Sequence, residues 1–188
     1  MTNKIQCKNM IKYDFESGFA GECLVEMNDG QLKKVYKIEK GDRVQTEFGM
    51  AKVLCVLKLY CKKGETDLIN VRNISSILKI SPYHPIKWEE KWQYPTTLFS
   101  NSSRSIAQCP ALYNFLLDGN DHNMIISNTI VSTLAHGLIG DLHHWYYGTE
   151  EVTKFLMTCS GWKIGLVQTG CVQTDEFGLF KGLANCCF

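Results

Sequence analysis

From residue 22 onward, hydrophobic and polar positions fall into short β-like runs separated by turn formers. Residues 22–27 lead into Asn28-Asp29-Gly30, a strong hairpin signal, and residues 32–38 supply the return strand. Gly41-Asp42 marks another turn. Residues 43–47, a break at Gly49 and residues 51–61 predict two further strands, the second rich in Val and Leu as a buried strand is. Residues 67–71 and 74–81 keep the rhythm, with Lys63-Gly64-Glu65 and Arg72-Asn73 as the breaks. Strands this short, at this spacing, argue for an all-β body. The polar, Ser-rich stretch 96–108 predicts a long exposed loop, and residues 111–117 and 122–126 predict a hairpin around Asp118-Gly119-Asn120. The end of the chain differs. Thr149 can N-cap a short helix with Val152, Phe155 and Leu156 on one face, Gly161-Trp162 closes it, and residues 166–173 return to strand. Residues 1–17 are polar and mixed, and read as an upstream arm.

Composition adds exclusions. The 188 residues carry a net charge of +1, with 45% hydrophobic and 21% charged residues. A dedicated nucleic-acid binder or a polybasic membrane module carries a larger excess of Lys and Arg, so neither nucleic acid nor membrane is an expected partner. No apolar run approaches the ~20 residues of a membrane-spanning helix. The N-terminus is polar where a signal peptide has its apolar core, so an intracellular, cytoplasmic setting is expected. Nine cysteines, an odd number at irregular spacing with no Cys-x-x-Cys pair, do not suggest a disulfide framework or a zinc knuckle. Most read as buried thiols acting as small hydrophobes.

Candidate chemistry is sparse. His84 lies in Ser81-Pro82-Tyr83-His84-Pro85, where two prolines keep it out of a helix or central strand and suit it to presenting an imidazole in fixed orientation. A surface histidine packed on Trp88 or Trp92 is the plainer alternative. His122, His136, His143 and His144 show neither helical i, i+4 nor finger spacing, so no metal is expected. For a cysteine nucleophile the candidates are Cys23, beside Glu22, and Cys109, before Pro110.

The strings themselves carry more. Gly18-Phe19-Ala20-Gly21-Glu22-Cys23-Leu24-Val25, continuing to Asn28-Asp29-Gly30 and then Ile38-Glu39-Lys40-Gly41-Asp42-Arg43-Val44, resembles the opening block of Hint domains. These are the self-processing modules of hedgehog proteins and inteins. Ser81-Pro82-Tyr83-His84 resembles the second block, written Thr-x-x-His in the family. Leu112-Tyr113-Asn114-Phe115 and Asp121-His122-Asn123-Met124-Ile125-Ile126 resemble the block near the domain end. Thr133-Leu134-Ala135-His136-Gly137, His144-Trp145-Tyr146-Tyr147-Gly148-Thr149, Gly161-Trp162 and Phe177-Gly178-Leu179 are similar to the Vint subfamily.

The resemblance implies a mostly β chain: a Hint-type all-β body with a small α/β C-terminal extension. It divides the sequence into an upstream flank (1–17), a Hint core (18–135) and a Vint-type extension (136–188). In the family, the first residue of the opening block is a cysteine, sometimes a serine, that attacks the carbonyl before it and exchanges the peptide bond for a thioester. Gly18 stands there, so the implied scissile bond is Ser17–Gly18 and the module is inactive as it stands. His84 would protonate or hydrogen-bond the scissile amide nitrogen, Ser81 would hold the site, and His122, His136 and His144 would shape the pocket. Splicing needs an Asn near Ser132-Thr133, and none is there, so hedgehog-type N-terminal cleavage is the better model. The implied partner is the flanking polypeptide in cis, acting as a monomer without a cofactor. Two alternatives stay open. One is a degenerate fold kept as a binding or linking module, and the other is a cysteine hydrolase using Cys23 or Cys109 with His84.

Overall fold

A computed structural model of the chain describes residues 17–99, 103–170, 172–176 and 180–184. The upstream arm expected at residues 1–17 therefore lies outside the described residues, apart from Ser17. The first half of the chain forms β1 (Phe19–Ala20), β2 (Leu24–Glu26), β3 (Leu32–Lys34), β4 (Arg43–Gln45), β5 (Met50–Tyr60), β6 (Glu65–Arg72) and β7 (Ile77–Ile80). Next come β8 (Ile86–Trp88), β9 (Lys91–Gln93), the short helix α1 (Pro95–Leu98), β10 (Arg104–Gln108) and β11 (Ala111–Leu117). Finally come β12 (Asn123–Ile126), β13 (Thr129–Ser132), helix α2 (Glu150–Thr158), β14 (Leu166–Thr169), β15 (Val172–Thr174) and β16 (Phe180–Leu183). The fold is predominantly β, with a smaller helical and strand region at the C-terminal end.

Two sheets make the body. One runs β10-β6-β7-β1-β11-β5-β14, with β4 also paired to β5; the other runs β3-β2-β12-β13-β8-β9. A single core joins them: Phe19, Ile80, Leu112 and Phe115 from the first sheet and Ile86, Met124 and Ile126 from the second are all fully buried. β5 alternates exposed and buried at its start and is buried on both faces at Cys55–Val56–Leu57, where β11 and β14 flank it. β14 comes from the region read as an extension, yet it pairs parallel to β5 in the main sheet, so that region is fastened to the body by backbone hydrogen bonds.

The expected β2–β3 hairpin forms across Asn28-Asp29-Gly30, with Gly30 at φ +80°. Its return strand is shorter than expected, because Val35–Lys37 winds into a 3-10 turn that buries Val35. Residues 111–117 and 122–126 do not pair with each other. The former bonds β1 and β5 and the latter bonds β2 and β13, so the Asp118-Gly119-Asn120 turn is a crossing between sheets. Asp118 fixes that crossing on β5, accepting from the Lys52 backbone N–H and donating its own to the Lys52 carbonyl. The loop expected at 96–108 holds α1 and edge strand β10, bonded to β6 and pinned by Arg104 on Asp67. Ser105, Ile106 and Gln108 of β10 are exposed, so no alternation marked it as a strand. Residues 166–173 are two strands in two sheets, not one. At the helix the reading holds: Thr149 Oγ1 accepts from Glu151 N–H, and Val152 and Leu156 are fully buried. The helix ends at Thr158, earlier than Gly161.

Candidate active site

The site sits where the chain passes from one sheet to the other. β1 pairs with β7 through Phe19 and Ile80, which sets Gly18 beside Ser81. Residues 81–85, held out of strand by Pro82 and Pro85, then lead into β8 of the second sheet. Val131 of β13 pairs with Ile86 of β8, and Ser132 N–H donates to the Pro85 carbonyl, so the end of β13 comes against His84.

Residue 18 is hooked to Ser81 in both directions. Gly18 N–H donates to Ser81 Oγ at 3.1 Å, and Ser81 N–H donates to the Gly18 carbonyl at 3.1 Å. Ser81 is fully buried, so its hydroxyl has no competing water. His84 is buried as well, 1% exposed, with its ring edge-on to Phe19 at 4.5 Å between centroids. Its Nε2 lies 2.8 Å from the Ser132 carbonyl oxygen, with Ser132 Oγ at 3.3 Å. A carbonyl can only accept, so Nε2 carries the proton and Nδ1 keeps its lone pair. That lone pair faces Ser17 Oγ at 3.0 Å, and the hydroxyl donates to it. Burial pushes the His84 pKa down to about 4; the bond to Ser132 opposes this and the charge of His144 adds to it. The ring is neutral at pH 7.

Gly18 itself has no room for a side chain. A Cβ there would fall 2.5 Å from the Tyr113 carbonyl oxygen and 3.2 Å from Leu112 Cβ. Sequence reasoning placed Ser17 only as the residue before the scissile bond and did not see its contact with His84.

The other candidates lie apart or serve the scaffold. His136 Nδ1 accepts from Leu138 N–H, and His144 Nδ1 accepts from the N–H groups of Tyr146 and Tyr147. Both rings thus brace the backbone of the segment after β13, and His144 also packs on Tyr147 and Phe180. Burial pushes His136 down to about 3, with the charges of His84, His144, His122 and His143 adding to it. His122 takes φ +38°, and its carbonyl accepts from Thr133 N–H. The ring nitrogens of His84 are engaged by Ser17 and Ser132. Cys23 Sγ accepts from Lys79 N–H at 3.2 Å, and burial pushes its pKa up to about 11. Cys109 Sγ donates to the Ala111 carbonyl. Among the described residues, no group of three or more His, Cys, Asp or Glu could hold a metal ion, and no helix is long and apolar enough to cross a membrane.

Comparison with known proteins fits this architecture. A mutant of the Ssp DnaB mini-intein variant M86 superposes with a TM-score of 0.51 at 12% identity, covering 63% of this chain and 99% of that one. A bacterial intein-like domain from Clostridium thermocellum gives a TM-score of 0.50 at 15% identity over the same shares of the two chains. At these identities the likeness is one of fold. No curated protein matches the chain. The family model described as Vint, a Hint domain, matches residues 17–179. That span takes in both sheets, the Ser17–His84 contact and helix α2, and on it the chain belongs to the Vint family of Hint domains.

Proposed function

We propose that this is an intramolecular autoprocessing domain that acts in cis on its own N-terminal flank, and that its Ser17–Gly18 bond stays whole because Gly18 stands at the nucleophile position. One observation carries the reading: the backbone of residue 18 is held at both N–H and carbonyl by Ser81, beside a buried neutral imidazole. Ser81 thus fixes the nitrogen of the Ser17–Gly18 peptide and the carbonyl that follows it, which orients the scissile nitrogen as an acyl shift needs. Ser81 is the holding hydroxyl and His84 the proton carrier; His136 and His144 shape the surroundings by bracing the segment behind them. Residues 18–135 form the processing core and residues 136–188 the extension. Action in cis needs no second copy and no cofactor, so a monomer suffices. Cys23 and Cys55 are free thiols, which favours a reducing, intracellular setting.

The test is Gly18→Cys, read by intact mass with and without dithiothreitol. Loss of residues 1–17, faster with thiol and abolished by His84→Ala, is the expected result. A Gly18→Cys chain that folds, even with a lowered melting point, and stays full length in both buffers overturns the assignment of position 18. A second reading, the Hint fold kept as a linking module, draws on the tight fit of Gly18 under Tyr113, which supports glycine as the residue this fold is packed around. It predicts that no repair at position 18 restores cleavage.

A further inference from the structure

We propose that a cleft between the core and the C-terminal region binds a flat organic anion, an aromatic body carrying one carboxylate, sulfonate or phosphate group. Binding there goes beyond self-processing and needs no cleavage. The cleft holds about 350 Å³, within the size range of small-molecule sites. It lies on the first sheet, where Phe19 of β1, Tyr113 of β11, Lys58 of β5 and Gln168 of β14 stand directly opposite one another in register. Side chains paired in this way share a face. Along the row they pass from buried Phe19, through half-buried Tyr113 and Lys58, to exposed Gln168. Ser81 and His84 are not among the residues that line the cleft.

The lining combines an apolar base, aromatic rings and fixed cations. Ile38, Val56 and Leu166 supply the apolar part, with Leu166 brought beside Val56 by the parallel pairing of β14. Tyr36 and Tyr113 converge over Gly21, where a Cβ would lie 3.1 Å from both Tyr113 Cε2 and Tyr36 Cβ. The stem of Lys40 lies flat on Gly165, where a Cβ would fall 2.3 Å from Lys40 Cβ, and Lys40 Nζ donates to the Lys163 carbonyl at 3.2 Å. Lys58 Nζ stands 4.8 Å from the centre of the Tyr60 ring and 5.8 Å from that of Tyr113. Both ammonium groups are therefore positioned before a ligand arrives, which lowers the entropic cost of binding one. Among the described residues neither forms an ion pair. The lining carries one carboxylate, Glu39, and it is exposed. Lys37 adds a further cation 5.9 Å from the Tyr36 ring, whereas Lys34 beside it is neutralised by Glu22. In a chain of net charge +1 this local excess selects an anion, and the rings and apolar base select a flat body. Burial pushes the Tyr113 phenol up, against the pull of Lys58, so it stays protonated and can donate to the same anion.

Anilinonaphthalene sulfonate, a flat aromatic sulfonate that fluoresces when it leaves water, is the probe, titrated into the native full chain. A single saturable site is expected. Lys58→Gln and Lys40→Gln should each weaken it about tenfold, the usual worth of a hydrogen bond to a charged group. Added salt should weaken the parent in the same sense. Phenylnaphthylamine, the same body without its sulfonate, should bind at least about tenfold more weakly. A parent chain that shows no saturable binding overturns the site. So does an affinity that neither lysine changes, or a neutral analogue that binds as well, because either marks an apolar patch without charge recognition. If a lysine variant melts early, the amide shifts of the parent during the same titration decide. Displacements centred on Lys58, Tyr113 and Gly165 support the cleft, and displacements centred elsewhere overturn it.

Discussion

The first side-chain atom of any residue at position 18 would fall 2.5 Å from the carbonyl oxygen of Tyr113, closer than such atoms approach in folded proteins. The obstacle is backbone in β11, which pairs with β1 and β5 on its two sides and is held there, so it has little freedom to withdraw. Gly18→Ala should therefore destabilise the domain by about 1–3 kcal/mol, the usual cost of overpacking a filled interior. Urea unfolding of the two chains measures it. A midpoint unchanged in Gly18→Ala would mean that β11 yields at no cost, and the steric argument about position 18 would go with it.

Ser81 presents the opposite case, a side chain whose one hydroxyl answers a buried backbone donor. Ser81→Ala leaves Gly18 N–H without its acceptor in a place water does not reach, and such a group costs about 1–3 kcal/mol. The same substitution should loosen the first residues of β1, raising hydrogen exchange at the Gly18 amide well above that in the parent. Unaltered exchange at that amide would show that Ser81 does not hold it.

Much of the fold was legible, and the failures share a cause. Asn28-Asp29-Gly30 announced its hairpin because Gly30 supplies the positive φ the turn needs. The β8–β9 hairpin turns on Glu89 and Glu90 at φ +48° and +61°, and the β12–β13 hairpin on Ser127 and Asn128 at +48° and +58°. Two glutamates in left-handed conformation give no turn signal, so local pattern does not mark Ile86–Trp88 and Lys91–Gln93 as a hairpin. Lys87 of that hairpin is nonetheless fixed by ion pairs to Glu90, three residues on, and to Glu47, a long-range partner that local pattern does not reveal. At the site, His84 stands out by its flanking prolines, and Ser81 through the resemblance of Ser81-Pro82-Tyr83-His84 to the family's Thr-x-x-His block. The Ser17–His84 contact spans sixty-seven positions and depends on the β1–β7 register, which no local pattern encodes.

The thiols offer a check on the hydrolase alternative. Burial pushes Cys23 and Cys55 up to about 11, so at pH 7.5 the thiolate is roughly one part in a few thousand of each. Iodoacetamide should label both at least about a hundredfold more slowly in the native chain than in urea, as peptide mapping would read, and the buried Cys109 should follow them. Rapid native labelling of Cys23 or Cys109 that His84→Ala abolishes would restore the cysteine hydrolase as the better account.

Two buried histidines also make stability depend on pH in a defined direction. His84 falls from an ordinary 6.5 to about 4 on folding, chiefly through burial, and His136 falls to about 3 for the same reason. Between pH 6.5 and 4 the unfolded chain binds protons that the folded chain refuses, so acid favours unfolding. The stability these rings permit is fully present above pH 6.5 and is lost progressively as pH falls through that window. For His84 the loss by pH 4.5 is about 2–3 kcal/mol, and His136 adds to it in the same sense. Urea unfolding at pH 7.5, 6.0 and 4.5 reads the slope. Proton NMR can assign it, because the His84 ring should show no titration through pH 6 while an imidazole in the unfolded chain shows its midpoint there. A ring that titrates near 6.5 in the native chain would mean that water reaches His84. The neutral Nδ1 acceptor for Ser17 would then be lost over the same range, and processing that depends on it should fall off with that midpoint, not near pH 4.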